Sequence, residues 1–336
     1  MLLRYGYTGT EFFFLVSGYL MAHSALRYDA TRLGQSTWQF VLRKVKVFYP
    51  YLLVAFVFTF VVRQYIFSTE GSIRLSWATD LLLSSNELLL LQTSGVGFDT
   101  LFNGPSWYLS AMILAMALLF PLLLKAREWF VNIGSGLIAI LTYAFIGGTY
   151  AHLNVTRQWL YVMESGLLRA IAGVALGVFA YGLVARIKEK GVVLRPAGKV
   201  LVYGIELVLV AVMLCIMQFR NALKGTTRFD FVVVLLELFL CVILFSQLTG
   251  IGARLPHRLC AVLGRISLPL YLNQRGLIYL YNCFGFEFAY PTALLILVGA
   301  TLLSIPLTEG ILWVCRRLWC AVKPRVRRWF LQEDVA

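Results

Sequence analysis

The chain has 336 residues, of which 60% are hydrophobic and 14% charged, with a net charge of +14 and a mean hydropathy of +0.78. A soluble domain carries about 25% charged residues because its surface must be wetted, so a water-soluble globule is excluded. The positive charge does not imply nucleic acid, because Lys and Arg sit between apolar runs as the flanks of membrane helices do.

In lipid every backbone group must be bonded within the structure, which leaves helices or a closed barrel. Barrel strands alternate apolar and polar residues over about ten positions, whereas residues 51–62 and 207–217 are apolar all round. The chain therefore predicts an all-α, polytopic transmembrane helical bundle. About nine helices are expected, near 10–26, 48–65, 105–124, 131–150, 166–185, 200–217, 230–249, 266–284 and 291–315. The apolar stretch 81–91 is too short to span and predicts a re-entrant or interfacial helix. A membrane domain over 1–315 is followed by a basic cytoplasmic tail, 316–336. That tail interleaves Trp319 and Trp329 with six basic residues, which suits a helix held to anionic membrane lipids.

Of the 30 Lys and Arg residues, 21 fall in one set of alternate loops and the tail and seven in the other set, counting Arg63 at the end of the second span with the loop that follows it. Arg169 and Arg275 lie inside spans. The asymmetry predicts a cytoplasmic C-terminus and an N-terminus outside, in a bacterial-type plasma membrane. A first span beginning so near an outer N-terminus implies one further helix upstream. The six cysteines show no CxxC or Cys/His metal spacing and read as core residues, so no metal site is expected.

Three polar groups stand out along the chain. The first span holds Gly9-Thr10-Glu11 and, further on, Ser17-Gly18. Glu11 is placed at the outer edge, and Gly18 with Ala22 forms a small-residue stripe for close helix packing. Arg43, Lys44 and Lys46 precede Pro50; they suit either a positive-inside flank or an anionic ligand such as coenzyme A. The third group is intramembrane. Arg275 lies ten residues beyond Arg265, about 15 Å along a helix, with Asn273 and Gln274 beside it. Arg169 shares a face with Gly173 and Gly177, and Glu206, Glu237 and Glu309 also lie in spans. A central charge costs at least about 2.5–3.5 kcal/mol, so these groups should face the bundle interior as structural ion pairs or as the lining of a pocket.

These same residues carry a resemblance. Gly9 to Leu20 matches the Gly-Val-Asp-x-Phe-Phe-Val-Leu-Ser-Gly-Phe-Leu helix of the integral-membrane acyltransferase family three, with Glu11 at the acidic position. A basic cluster ending in an aromatic and Pro follows at Arg43 to Pro50. The motif Asn-Gly-Pro-x-Trp-x-Leu-Ser stands as Asn103 to Ser110, and Leu263-Gly264-Arg265-Ile266-Ser267 with Tyr271-Leu272 resembles the family's late motif. The family acylates sugars of surface polysaccharides, lipopolysaccharide and peptidoglycan, and small molecules. The departures are specific. The family's first helix, with an Arg and a catalytic His, is not in this sequence, and His23, His152 and His257 do not replace it. The late His is Gln274, the acidic residue after the Trp motif is Met112 or Ile113, and the basic pair falls on Lys44 and Val47 or on Arg43 and Lys46.

The resemblance implies an O-acyltransferase, most simply one that transfers an acetyl group from cytoplasmic acetyl-CoA (or another acyl-CoA), a co-substrate rather than a bound cofactor, to a cell-envelope sugar, glycan or glycolipid. As it stands the chain reads as truncated or inactive. Arg43, Lys44 and Lys46 are assigned to the coenzyme phosphates, and Glu11, Ser17, Arg169, Asn273 and Arg275 to supporting roles. The alternatives are a transporter with a buried Arg/Glu path and a non-catalytic membrane scaffold.

Overall fold

A computed structural model of the chain describes residues 6–69, 77–96, 102–219, 228–250, 256–284 and 290–331, with backbone alone at 67–69, 290–291 and 319–331. The described residues are helical apart from loops and one hairpin. The helices are α1 (Gly9–Ala25), α2 (Leu33–Thr69), α3 (Trp77–Leu83), α4 (Ser85–Leu88), α5 (Trp107–Lys125), α6 (Arg127–Trp129), α7 (Ser135–Tyr150), α8 (Ser165–Glu189), α9 (Pro196–Phe219), α10 (Phe229–Ser246), α11 (His257–Cys283) and α12 (Tyr290–Leu331). The hairpin pairs Trp159–Leu160 with Met163–Glu164 in the α7–α8 loop.

Each of the nine apolar stretches holds a helix, but seven of the described helices are long and apolar enough to cross a membrane. The expected count of nine is corrected on two grounds. At 17 residues α1 rises about 25 Å, short of a hydrocarbon core of about 30 Å. The other helix, α11, breaks its apolar run with Arg265, Asn273, Gln274 and Arg275. The stretch 81–91 forms no span; α3 and α4 are short helices separated at Ser84. The second span also begins earlier than its apolar run, because α2 starts at Leu33 and carries the basic cluster within the helix. The final helix runs unbroken through residue 315, so the start of the basic tail is a continuation of α12; its side chains beyond 318 lie outside the described residues.

Two compact units are present. The first comprises Met1–Val45, Ser85–Asp99 and Ser106–His257; the second comprises Lys46–Ser84, Thr100–Pro105 and Arg258–Ala336. In the first unit α8 packs against α1, α5, α7 and α10. The α1–α8 contact is a small-residue seam, as the glycine spacing predicts. A side chain at Gly18 would collide with the Val174 carbonyl, and one at Gly177 with the Leu15 carbonyl. Association in lipid gains little from hydrophobic burial and depends on such close backbone packing. Aromatic stacking closes the unit elsewhere, with Tyr19 on Phe245 at 3.9 Å and Phe40 on Phe120 at 4.1 Å.

In the second unit α11 meets α2 where Gly276 faces Phe58 and Thr59. It meets α12 where Asn273 Nδ2 donates to Ser304 Oγ at 2.9 Å and Thr308 Oγ1 at 3.0 Å.

Candidate functional site

The start of α8 is fixed by the loop before it. Ser165 N–H donates to the Gln158 carbonyl and Gly166 N–H to the Thr156 carbonyl, both at 2.9 Å, which satisfies donors that a helix N-terminus leaves open. This sets Arg169 one turn inside the helix, facing α1. Arg169 and Glu11 are each 1% exposed, and Arg169 Nε donates to Glu11 Oε1 at 2.7 Å. Tyr143 Oη donates to the other carboxylate oxygen at 2.5 Å. The guanidinium also donates to Thr10 Oγ1 at 2.7 Å and to the Val155 carbonyl at 3.1 Å, and lies over the Trp107 ring at 5.2 Å.

Glu11 stands in the first turn of α1, at the end of the span where the sequence places it, and its carboxylate is buried there. A carboxylate buried so completely must be paired, and α7 and α8 supply the partners. Both Glu11 oxygens are engaged, so the group is suited to positioning α1 rather than to accepting a substrate proton. A second carboxylate lies in the same unit: Asp230 accepts from Tyr7 Oη at 2.9 Å and from the Leu153 N–H at 2.8 Å. Glu237 is 2% exposed, and its Oε2 has no hydrogen-bond partner among the described residues. Ser17, also on α1, donates to Met112 Sδ at 3.3 Å and lies 3.4 Å from Tyr108 Oη.

The serines of the Asn103–Ser110 motif hold the short-helix region in place. Ser106 Oγ donates to Glu87 Oε1 at 3.0 Å and accepts from Gln92 Nε2 at 2.9 Å. Ser110 Oγ donates to the Leu90 carbonyl at 2.8 Å. Sequence reasoning passed over Glu87, which is fully buried, although a carboxylate in the apolar stretch 81–91 was a usable signal.

At the α1–α2 turn a polar depression of about 470 Å³ is lined by Arg27, Asp29, Arg32, Gln35, Gln39 and Arg43, with Tyr28 and Ser36. Of the three basic residues expected to bind phosphate, Arg43 is in this lining. Lys44 instead turns its Nζ over the Phe40 ring at 5.7 Å, and Lys46 is exposed further along α2. Arg27 and Arg32 were missed, because the turn rather than the sequence spacing brings them beside Arg43. Hydrogen bonds from the Thr31 hydroxyl and N–H hold the Asp29 carboxyl below its ordinary value of 3.8, so it remains a carboxylate at neutral pH.

In the second unit, the late polar group divides in two. Asn273 is a structural tie to α12, as described above. Arg275 lies over the Tyr279 ring at 4.6 Å, a ring that Arg63 also covers at 5.0 Å. The pairing left open by the sequence is now assigned. Arg169 takes Glu11; Glu309 accepts from Tyr51 Oη at 2.8 Å and stands 4.0 Å from an exposed Arg265; Glu206 accepts from Thr249 Oγ1 at 3.3 Å. Among the described residues no group of three or more His, Cys, Asp or Glu side chains is placed to hold a metal ion.

The model of an acyltransferase domain family, the integral-membrane acyltransferase family three, matches residues 4–309. The chain belongs to this family. No curated protein and no solved structure matches it. Acyltransferase family three membership accounts for the motif order along the chain, and the geometry gives those motifs distinct local roles. Glu11 and the serines of the Trp107 motif are bonded on all their described oxygens within the first unit, and Asn273 is bonded within the second. His23 is exposed near the end of α1, His257 is exposed at the start of α11, and His152 lies in the α7–α8 loop with a buried Nδ1 that has no partner among the described residues.

Proposed function

We propose that this member of the family is an O-acyltransferase that carries an acetyl group from acetyl-CoA to a hydroxyl of a cell-envelope sugar or glycolipid. The observation that carries the donor assignment is the depression at the α1–α2 turn, where three guanidiniums and two Gln amides surround a cavity of about 470 Å³. Guanidinium forks match phosphate oxygens in pairs, and charge-assisted bonds of this kind are the strong ones. In this reading Arg27, Arg32 and Arg43 hold the coenzyme phosphates, Lys44 and Lys46 add to the local positive field, and the turn faces the cytoplasm of a bacterial-type plasma membrane. The acceptor oxygen then attacks the thioester carbonyl carbon, the C–S bond breaks, and the hydroxyl proton passes through a base to the departing sulfur, so that coenzyme A leaves as its thiol. The Arg169–Glu11 pair and Ser17 act as positioning groups for α1, and Asn273 for α11.

Equilibrium binding of acetyl-CoA to the purified chain tests the donor site without requiring turnover. Arg43→Ala and Arg27→Ala are each expected to weaken binding tenfold or more, the equivalent of one charge-assisted bond of about 1.5–3 kcal/mol. Asp29→Asn removes a negative charge from the lining and is expected to strengthen it. Unchanged affinity in both Arg variants overturns the donor site, and failure to release coenzyme A in the presence of envelope glycans overturns the transferase reading. The transport alternative predicts solute counterflow in proteoliposomes lacking any acyl donor. The sealed Arg169–Glu11 pair, 1% exposed on both sides, speaks against a solute path along α1 and α8.

A further inference from the structure

A second cavity of the first unit, a groove of about 240 Å³, lies between the end of α8 and α10, away from the α1–α2 turn. Leu183 and Ile187, one turn apart on α8, form one side of it, and Leu238 and Phe239 of α10 form the other. Arg186 and Lys190, also one turn apart, line it nearer the end of α8, which closes at Glu189. None of the described residues lining it is acidic. From Leu183 to Lys190 the chain climbs about 10 Å, and over that rise the lining passes from apolar side chains to cations.

The contacts along α8 show which end of the membrane this is. Helices α1, α8 and α10 run in the same direction. At one end Arg169 bonds to Glu11 and Tyr7 to Asp230; towards the other, Tyr19 meets both Tyr181, at 5.5 Å, and Phe245, at 3.9 Å. The cations therefore stand at the face that also carries the α1–α2 turn. Lys and Arg at such a helix end often do no more than reach for water, but Arg186 is oriented. A π-helical turn, Phe130–Gly134, packs so closely on α8 that a side chain at Gly182 would stand 2.9 Å from the Val131 carbonyl oxygen. From this turn Asn132 Oδ1 accepts from Arg186 Nη2 at 2.8 Å. One neutral acceptor fixes the guanidinium, leaves its charge uncompensated and leaves most of its five donors unused. Among the described residues neither Arg186 nor Lys190 forms an ion pair.

We infer that this groove binds one anionic phospholipid, with its phosphate between Arg186 and Lys190 and an acyl chain along Leu183, Ile187 and Phe239. Charge complementarity selects the headgroup, and the order of the lining matches the order of a lipid, chain first and phosphate at the membrane edge. A phosphatidylcholine fills the apolar part equally well but brings a headgroup whose charge is already compensated. A soluble phosphate uses the cations but leaves Phe239, 57% exposed, uncovered. The site is separate from the acetyl-CoA reading and does not depend on it.

The full chain, purified in maltoside micelles, is titrated with phosphatidylglycerol, phosphatidylcholine of the same acyl chains and glycerol 3-phosphate, with binding read by native mass spectrometry. Phosphatidylglycerol is expected to bind at least tenfold more tightly than phosphatidylcholine. One basic residue near an anionic headgroup is worth about fivefold in affinity, so Arg186→Gln and Lys190→Gln should each lower the preference by about that factor. Phe239→Ala should weaken both lipids and leave their ratio unchanged. Lys199, exposed at the start of α9 and outside the lining, supplies the control, and Lys199→Gln should alter neither affinity. Equal binding of the two lipids by the unaltered chain overturns the site even where a variant does not fold. Equal losses from Lys199→Gln and Lys190→Gln overturn it as well, by giving the preference to the general positive charge of that face. Displacement of phosphatidylglycerol by an equal concentration of glycerol 3-phosphate overturns the lipid assignment, because the phosphate alone would then be recognised.

Discussion

Arg169→Ala is expected to lower the stability of the folded chain by about 3–5 kcal/mol, the usual cost of removing one partner from a buried ion pair. The cost arises from what is left behind. Glu11, 1% exposed, would keep its Tyr143 bond but lose the charge that compensates it, and the Val155 carbonyl and Thr10 hydroxyl would lose their donor. Thermal unfolding in detergent, followed by the monodisperse fraction on size exclusion, measures the loss. Glu11→Leu combined with Arg169→Met should recover much of it, since apolar replacement of a whole buried pair is often neutral or stabilising. If the double variant is stable yet transfers no acetyl group, the pair positions α1 for the reaction as well as for the fold. A single Arg169→Ala variant as stable as the unaltered chain would overturn the buried-pair assignment.

The parts of this arrangement legible in sequence were those encoded locally. Apolar runs located a helix at each of nine places, and glycines four and eight residues from Arg169 identified the face of α8 that meets a neighbour. The burial of Glu11 was not legible because it depends on Tyr143 and Arg169, more than 130 residues away, and no local pattern reports that. Arg27 and Arg32 were passed over because they join Arg43 through the turn between α1 and α2. The early start of α2 was hidden for a related reason: Gln35, Ser36 and Gln39 are polar, so the helix outruns its apolar stretch at the end where the depression forms. The motif serines show the opposite case. Ser106 and Ser110 were visible as a pattern, but only the positions of Glu87, Gln92 and Leu90 explain the pattern as a set of structural ties.

Gly177→Ala is the second change expected to be severe, although it adds a single methyl group. The new Cβ would strike the Leu15 carbonyl and stand 2.9 Å from the Gly18 Cα, so backbone rather than a flexible side chain must yield. Overpacking a close-fitted interior costs about 1–3 kcal/mol, and here the cost is shared by a whole helix pair. Gly204→Ala in α9 provides the control, because nothing lies within 4 Å of its added methyl. Relieving a mid-helix glycine is expected to raise stability there by about 0.5–1 kcal/mol. Opposite shifts in thermal unfolding for the same chemical substitution would isolate the seam as the cause. The seam also explains why the ion pair should not be independent of it. Glu11 and Gly18 share α1, and Arg169 and Gly177 share α8, so a shift that admits the methyl also draws Glu11 away from Arg169. Residues coupled through a common backbone movement depart from additivity by about 0.5–3 kcal/mol. Gly177→Ala placed on the Glu11→Leu, Arg169→Met background should therefore cost less than it does in the native chain. An equal cost in both backgrounds would mean that the helices close on their glycines alone.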